Sequence, residues 1–312
     1  MIMLLRPFLR GIFWGLLLVL LTLTVVFFRF DYPVDELKEK YTYPESSFVE
    51  VAGMSVHVRA VGEGKPLVLL HGTGASLHTW EGWTEILQDS FRVISLDLPA
   101  FGLTGPHPNA DYSISAYVSF LEAFAQKMKL DSFYLAGNSL GGLIAWNYAY
   151  THPTQVQKLI LLDASGFPRN GPMPLAIRLA RYPVVSDLLR YITPKSLFRK
   201  SLREVYGDPD QLTEKTINRY YQLFLRPGNR QAYIKRARES YKVPTSLLRE
   251  LPMPVLIQWG AQDAWISPDN AEKFDALIPH SEVVIYPDLG HVPMEEAPAT
   301  TARDVRAFLK KP

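Results

Sequence analysis

Short apolar runs that alternate with segments of helical spacing are the feature that most constrains the fold. The runs Pro66–Gly72 and Pro254–Gly260 are largely apolar and end at glycine, which is typical of strands buried on both faces of a parallel sheet. The segment Ser113–Leu130 has amphipathic helical spacing, whereas Ser47–Gly53 and Met54–Gly62 alternate like an antiparallel strand pair. The pattern predicts an α/β fold, with a mostly parallel sheet and helices on both faces.

The strand pattern stops in one long stretch, residues 167–250. Its pattern predicts several short helices broken by prolines. Its length between two predicted strands indicates an inserted helical cap. The expected division is an N-terminal anchor over 1–45, an α/β core over 46–166 and 251–312, and the cap over 167–250. With 47% hydrophobic and 21% charged residues the chain is neither disordered nor a coiled coil.

The net charge of +2 is a cancellation between two regions. The cap holds 17 basic and 7 acidic residues, a balance of +10, and the rest of the chain carries −8. The small total gives no support for a nucleic-acid partner. The positive cap fits either an anionic membrane or head group, or a solvated helical surface, and the sequence leaves both open.

An uncharged apolar stretch of eighteen residues, Gly11–Phe28, lies near the N-terminus. As a helix it is about 27 Å long, close to the hydrocarbon thickness of a bilayer. No small-residue cleavage site follows it, so an uncleaved transmembrane helix is expected rather than a secretory signal or a buried core helix. Basic residues on the two flanks balance, and only the proximity of Arg6 and Arg10 favours an outside catalytic domain.

Gly11 and Gly15 form a G-x-x-x-G pair at the edge of this stretch. Such a pair lets two membrane helices approach closely, although it also arises often by chance. A homodimer through the N-terminal anchor is therefore compatible with the sequence.

The sequence Gly137-Asn138-Ser139-Leu140-Gly141 fits the pattern G-x-S-x-G. It lies where the predicted strand Ser132–Ser139 meets a predicted helix that starts at Leu140. A nucleophilic serine occupies such a sharp strand-to-helix turn, and the flanking glycines permit a close backbone approach. The bare pattern also fits a chance glycine-rich loop, but the strand before and the helix after favour Ser139 as a nucleophile.

A serine nucleophile needs a base, and the base needs an acid. Among seven histidines, only His291 lies directly after the last predicted strand. The chain order Ser, Asp, His then requires an acid between residues 139 and 291 at a strand end. Asp263, three residues past Pro254–Gly260, is the expected acid, and Asp163, after the preceding strand, is its rival.

Two backbone N–H groups are expected to form an oxyanion hole. One belongs to Leu140, which follows the nucleophile, and the other to Thr73 in the loop His71-Gly72-Thr73-Gly74. His71 precedes a glycine turn and is expected to be structural.

Three further side chains are expected to have structural roles. Asp97 is expected to fix a loop, and Trp80 and Trp265 are expected to pack in the core rather than line a pocket. No two histidines have metal-binding spacing, and no glycine-rich turn matches a phosphate or dinucleotide loop, so no cofactor or metal is expected. The absence of cysteine excludes disulfides, a thiol nucleophile and cysteine-based metal sites.

Jointly and in this order, five motifs make the chain from about residue 47 to 312 resemble the α/β-hydrolase family. They are His71-Gly72-Thr73-Gly74, Asp97-Leu98-Pro99-Ala100-Phe101-Gly102, Gly137-Asn138-Ser139-Leu140-Gly141-Gly142, Gly260-Ala261-Gln262-Asp263 and Gly290-His291-Val292-Pro293. Ala100 departs from the pattern, since many relatives have glycine there. A serine rather than an aspartate at position 139 disfavours the epoxide-hydrolase and haloalkane-dehalogenase branches.

An N-terminal span before a capped catalytic domain is similar to bacterial membrane-anchored phospholipase A1-type enzymes. The resemblance implies a serine carboxylic-ester hydrolase for acyl lipids, held in the cytoplasmic membrane with its active site beside the bilayer on the periplasmic side, and dimers through the anchor. Two alternatives stay open. The Gly-Asn-Ser-Leu-Gly-Gly stretch is also similar to carbon–carbon hydrolases of dienoates, and an anchored binding module without catalysis is the other, against which the complete triad argues.

Overall fold

The computed structural model describes residues 10–15, 17–19, 21–22, 27–168, 175–239 and 243–311, without the side chains of residues 176, 184 and 189. All structural statements below concern these residues.

Eight strands form one sheet. They are β1 (Ser46–Val51), β2 (Met54–Val61), β3 (Pro66–Leu70), β4 (Arg92–Leu96), β5 (Phe133–Asn138), β6 (Val156–Leu162), β7 (Val255–Gly260) and β8 (Ser281–Tyr286). Their order across the sheet is β1-β2-β4-β3-β5-β6-β7-β8. The pairs β1/β2 and β2/β4 are antiparallel and all other pairs are parallel, which confirms the predicted α/β fold with a mostly parallel sheet.

Helices connect these strands and cover both faces of the sheet. They are α1 (Val34–Tyr41), α2 (Glu81–Leu87), α3 (Ile114–Lys127), α4 (Leu140–Thr151), α5 (Leu175–Arg181), α6 (Pro183–Leu189), α7 (Lys195–Arg203), α8 (Glu214–Phe224), α9 (Asn229–Arg238), α10 (Asp269–Asp275), α11 (Pro293–Glu296) and α12 (Pro298–Lys310). Side chains of α3 and α4 pack in one buried cluster, and those of α2 and α12 in a second one. The central strands β3, β5 and β6 contribute to both clusters, which explains their continuous apolar runs.

The described residues between β6 and β7 form the helices α5 to α9 and no strand. This part of the chain supplies most of the wall of the cleft described below. The parallel strands β5, β6 and β7 bring residues 139, 163 and 263 to one edge of the sheet, because all three follow the carboxyl ends of these strands.

The transmembrane helix expected over Gly11–Phe28 is not supported. No helix within the described part of the chain is long and apolar enough to cross a membrane, while residues 16, 20 and 23–26 of the stretch lie outside the description. The end of the stretch lies on the cap instead: Phe28 forms a β-bridge with Ile192, and the Arg29 N–H donates to the Tyr191 carbonyl at 2.9 Å.

Candidate active site

Ser139 occupies a strained turn between β5 and α4. Its φ of 54° lies in the left-handed region, which costs a residue with a side chain about 1–3 kcal/mol. The turn is held by the Ser139 N–H, which donates to the Leu162 carbonyl at 3.0 Å, and by the Ser139 carbonyl, which accepts from the Ser165 N–H at 3.0 Å. Both partners belong to the neighbouring strand β6 or follow it, so the sheet maintains the strain.

The two glycines of the motif are required by close backbone approach. A Cβ on Gly137 would lie 2.2 Å from the Gly141 carbonyl oxygen, and one on Gly141 would lie 2.1 Å from the Leu70 carbonyl oxygen. Any side chain at either position would therefore push α4 away from β3 or β5. The sequence pattern around Ser139 has this physical cause.

His291 and Asp263 form a buried hydrogen-bonded pair. The His291 Nδ1 and Asp263 Oδ2 atoms are 2.7 Å apart, and the two residues are 3% and 6% exposed. The other carboxylate oxygen of Asp263 accepts from the N–H groups of Trp265 at 2.7 Å and Ile266 at 2.9 Å. With Nδ1 as the donor to the carboxylate, the His291 Nε2 atom is left as an acceptor, which is the tautomer that a general base needs.

The backbone of His291 is attached on two sides. Its carbonyl accepts from the Asn138 Nδ2 at 2.9 Å, so the residue before the nucleophile also holds the base. Its N–H donates to the Val205 carbonyl of the cap at 2.8 Å. Beside it, the Glu296 carboxylate accepts from the Gly207 N–H at 2.7 Å and the Gly290 N–H at 2.9 Å. The cap and the loop of the base are thus joined by one direct hydrogen bond and by the Glu296 carboxylate, which bridges Gly207 and Gly290.

The loop after β3 lies directly against Ser139, the expected nucleophile. A Cβ on Gly72 would be 2.8 Å from the Asn138 Oδ1 and 3.2 Å from the Ser139 Cβ. Thr73 lines the same cleft as Ser139, and Leu140 is the first residue of α4, where backbone N–H groups have no acceptor within the helix. The two residues expected to supply the oxyanion donors thus lie in the segments that adjoin Ser139.

His71 supports this loop rather than the chemistry. Burial lowers its pKa, so the ring is neutral, and its Nδ1 and the Gly72 carbonyl oxygen are 2.7 Å apart. Its Nε2 accepts from the Leu98 N–H at 2.9 Å.

A cleft lies between the core and the cap above Ser139. Its empty space, counting the part open to solvent, is about 1160 Å³. From the core it is lined by Thr73, Ser139, Trp265 and His291. The cap contributes mostly apolar and aromatic residues, namely Leu179, Ala180, Pro194, Leu197, Phe198, Leu202, Val205, Tyr206, Tyr220, Phe224, Tyr233 and Ile234.

Trp265 has a role that the sequence did not indicate. It was expected to pack in the core, and it does pack partly against the cluster of α2 and α12, but it also lines the cleft. Its ring stacks on that of His291, with centroids 5.7 Å apart and an interplanar angle of 29°. Trp80, by contrast, is fully buried, as expected.

Asp163 is another titratable residue at this end of the sheet, beside Asp263 and His291. Together with Asp263 and His291 it forms a buried group whose ligand-type atoms all lie within 4.8 Å of one another. These are residue types that can bind a metal ion, but the Nδ1 of His291 and one oxygen of Asp263 are engaged with each other. The arrangement fits an acid–base pair better than a cation site.

A second set of Ser, His and Asp lies away from the cleft. The Ser46 Oγ is 2.9 Å from the His57 Nε2, and the His57 Nδ1 is 2.8 Å from the Asp97 Oδ2. Asp97 also accepts from the N–H groups of Leu77 and Leu103, both at 2.7 Å. Burial alone would raise the pKa of Asp97, but the charge of His57 and its hydrogen bond lower it to about 2. Asp97 thus fixes two loops, as expected.

The sequence of the chain matches one protein family. Residues 65–298 fit the family described as the alpha/beta hydrolase fold. Lipase 3 of Moraxella sp. (strain TA144) is 28% identical over 259 residues, which are 78% of this chain and 77% of the lipase. The 2-hydroxy-6-oxo-6-(2'-aminophenyl)hexa-2,4-dienoic acid hydrolase of Metapseudomonas resinovorans is 25% identical, over 88% of this chain and 93% of that enzyme.

A solved structure of a membrane phospholipase A is similar over nearly the whole length. It superimposes with a TM-score of 0.74 at 26% identity and covers 97% of this chain and 98% of its own. The family match covers the strained serine turn and the buried His–Asp pair, and it spans well over half of the sequence. This chain belongs to the α/β-hydrolase family.

Proposed function

We propose that this protein is a serine carboxylic-ester hydrolase that acts on acyl lipids through an acyl-enzyme. The observation that carries the proposal is the position of Ser139 and His291 on the wall of a mostly apolar cleft, with Asp263 buried and hydrogen-bonded to the histidine. The lipase among the relatives supports the same reaction class.

The groups have complementary roles in this reaction. His291 Nε2 takes the proton of the Ser139 hydroxyl while Oγ attacks the ester carbonyl carbon, and the Asp263 carboxylate stabilises the imidazolium that forms. The Thr73 and Leu140 N–H groups bind the oxyanion. His291 then donates the proton to the leaving alcohol, and a water activated by the same histidine hydrolyses the acyl-enzyme. Each oxyanion donor of this kind contributes about 10²–10³ in rate.

The lining of the cleft supports an apolar acyl group as the ligand. Among the described lining residues, Arg230 is the one guanidinium, and its Nη2 donates to the Asp31 Oδ1 at 2.6 Å and to the Arg29 carbonyl at 2.9 Å. This cation is already neutralised by the N-terminal segment, so the cleft offers little to a small anionic substrate and much to a hydrocarbon chain.

The test uses the full-length protein in detergent with two substrate types. We expect release of p-nitrophenol from p-nitrophenyl esters and of fatty acid from diacyl phospholipids in mixed micelles. A fluorophosphonate should label the wild type and leave Ser139→Ala unlabelled. If the folded wild type releases neither product, the proposal is wrong.

A carbon–carbon hydrolase of dienoates is the second candidate. It is favoured by the relative from Metapseudomonas resinovorans, whose name describes that activity and which covers most of this chain. Loss of the dienone absorbance of a ring-fission product, with esters left intact, would select this candidate instead.

We further propose that the protein associates with a membrane through its N-terminal segment and the outer face of the cap. Four exposed apolar side chains on the cap form what we name the cap patch: Tyr182, Val185, Leu188 and Tyr191, which are 59%, 38%, 47% and 50% exposed. The ring of Phe28, at the end of the apolar N-terminal stretch, stacks on Tyr191 with centroids 6.2 Å apart. The stretch and the patch are therefore contiguous.

Charge supports a bilayer as the partner of this surface. Arg178 and Arg181 are exposed on α5, next to the cap patch in sequence, and basic side chains near anionic lipids each contribute about 1 kcal/mol. The similarity to the membrane phospholipase A covers so much of the chain that it reaches into the N-terminal segment.

Vesicle flotation tests the membrane proposal. Wild type should float with vesicles that contain phosphatidylglycerol, and Val185→Ser/Leu188→Ser should bind several-fold more weakly. The matched control is Val283→Ser/Ile285→Ser, which removes two similarly exposed apolar side chains from the edge strand β8. Equal binding by the two double variants would contradict a role of the cap patch.

Sidedness and assembly belong to the same proposal. We place the catalytic domain on the outer, periplasmic side of the cytoplasmic membrane, which protease digestion of spheroplasts tests. Among the described residues, no atom lies within 4 Å of a Cβ added at Gly11 or Gly15, which is compatible with a second copy against these positions. Loss of cross-linked dimers in Gly11→Leu/Gly15→Leu would support a homodimer through the anchor.

A further inference from the structure

Two carboxyl groups lie unusually close together behind the catalytic histidine. Asp163 is fully buried and Asp263 is 6% exposed, and together with His291 they present atoms within 4.8 Å of one another. In a medium of low polarity, two carboxylates at this separation do not both ionise readily. The reaction proposed above uses only Asp263, so the state of Asp163 needs its own explanation.

The hydrogen bonds of the pair differ. Asp263 has three donors, two backbone N–H groups at Oδ1 and His291 at Oδ2, and Oδ2 can accept one more. Asp163 receives one donor, the Gly260 N–H, at 2.9 Å from its Oδ1. Its Oδ2 is buried and meets no donor among the described residues. A buried anionic oxygen without a donor is costly, whereas a protonated Oδ2 would find the Asp263 carboxylate as an acceptor.

The surrounding charges also favour a protonated Asp163. Burial, and next the charge of Asp263, raise the pKa of Asp163 well above its usual value, and Glu296 adds to this effect. His291 and the phenol of Tyr286 on β8 are further titratable groups near Asp163. The Gly260 N–H acts in the opposite direction.

The backbone holds the Asp163 side chain in place. Its φ of 44° lies in the left-handed region, and its N–H donates to the Gln258 carbonyl of β7 at 3.0 Å. Since its side chain also accepts from Gly260, Asp163 is bound twice to the strand that ends three residues before Asp263.

We propose that Asp163 is a positioning residue that remains protonated and donates a hydrogen bond from Oδ2 to the Asp263 carboxylate. In this arrangement Asp163 fixes the carboxylate that orients His291 without adding a second negative charge beside it. The kinetic part of the inference rests on the proposed ester hydrolysis, whereas the protonation state does not.

The kinetic test compares Asp163→Asn with Asp163→Ala in the full-length protein. The amide of asparagine can still accept from Gly260 and donate to Asp263, so we expect Asp163→Asn to restore most of the kcat that Asp163→Ala loses, about tenfold. The acid limb of the pH profile of kcat/KM should keep its position in Asp163→Asn, because no charge next to His291 has been removed. Asp288→Asn, which removes an exposed carboxyl on the loop before His291, is the matched control.

Two kinetic outcomes overturn the proposal. A shift of the acid limb to lower pH by more than about half a unit in Asp163→Asn would mean that Asp163 is ionised in the wild type, since a lost anion lowers the pKa of the imidazolium. An unchanged kcat in Asp163→Ala would mean that Asp163 positions nothing.

Infrared spectroscopy tests the protonation state without any substrate. Near neutral pH the wild type should show the carbonyl stretch of a protonated carboxylic acid that shifts in heavy water. The band should be missing in both Asp163 variants and present in Asp288→Asn. Its absence from the folded wild type overturns the inference, whereas a protein that shows the band but hydrolyses no ester refutes only the proposed function.

Discussion

The chain contains two sets of Ser, His and Asp whose His–Asp pairs have nearly equal distances, and among the described residues only the set with Ser139 lines a cleft. The His–Asp distances are 2.7 Å for His291–Asp263 and 2.8 Å for His57–Asp97. In the second set Ser46 lies in a regular edge strand, and its hydroxyl accepts from the Tyr43 N–H at 2.9 Å. Ser139 has a left-handed backbone and an open cleft before it. The comparison teaches that the hydrogen-bond chain alone does not make a site; the strained turn, the adjacent N–H groups and the cleft do.

The largest expected difference between the two sets is the loss of kcat when each serine hydroxyl is removed on its own. We expect Ser139→Ala to lower kcat on esters by about 10⁴- to 10⁶-fold, since the nucleophile is lost. Ser46→Ala should leave kcat within about twofold because its hydroxyl contacts Tyr43 and His57, away from the cleft. Steady-state kinetics with a p-nitrophenyl ester measures both. Strong loss in Ser46→Ala with native stability would break the comparison.

Substitution of Asp263 should lower the activity, whereas substitution of Asp97 should lower the stability of the fold. Asp263→Asn should cost about 10⁴-fold in kcat, because the amide no longer stabilises the imidazolium. Asp97→Asn should instead lower the free energy of unfolding by about 3 to 5 kcal/mol, because it breaks a buried charged hydrogen-bond network. Urea unfolding and kinetics on the folded fraction measure the two effects. The comparison fails if Asp97→Asn abolishes turnover in protein that is still folded.

Asp97, in the second set, should also make the stability of the fold fall at acid pH. Asp97 has a pKa of about 2 in the folded chain, below the value of about 4 for an unfolded aspartate. Its contribution is therefore present above about pH 4 and is lost as the pH falls towards about 2, an effect of about 2 kcal/mol. Urea midpoints measured along this pH range should fall less steeply in Asp97→Asn than in wild type. Parallel curves for the two proteins would contradict this.

The smallest expected effect concerns the hairpin between β1 and β2, which carries Ser46 and His57. Ala52 is exposed and has a φ of 50°, and Gly53 follows with a φ of 75°. Asparagine is favoured at the first position of such a turn, so Ala52→Asn should stabilise the fold by about 0.5 kcal/mol. Thermal unfolding measures the gain, and kcat should not change. A lower melting temperature would argue against the predicted preference.

The strand and helix alternation and the motif order predicted the sheet, and they placed Ser139, Asp263 and His291 close together in space. These signals are local: a glycine pattern at a strand–helix junction and acids at strand ends. The supports of the site are not local. Asn138 binds the backbone of a residue 153 positions away, and Val205 of the cap binds the same residue. Only the packed structure brings these groups together.

The contacts of Trp265 and Asp163 could not be predicted in full from the sequence. Trp265 follows Asp263 closely, but its stacking on His291 depends on the turn in which Asp263 accepts from the Trp265 N–H. Asp163 was identified as an alternative acid, and its position beside Asp263 makes it a neighbour of the triad rather than a replacement. Ala100, which departs from the family pattern, adopts a φ of 87° without glycine. Its methyl group is tolerated despite the strained backbone.

The hydrogen bond from the His291 N–H to Val205 has a consequence for how the enzyme opens. A hinge motion that lifts residues 205–207 from the core would break this bond and the bond from the Gly207 N–H to Glu296, and would leave the base held by Asn138 and Asp263. Opening of the whole cap would therefore remove one backbone support of His291. We expect ligand entry that keeps this support to use movement of the far part of the cap, α5 and α6, while residues 205–207 stay in place.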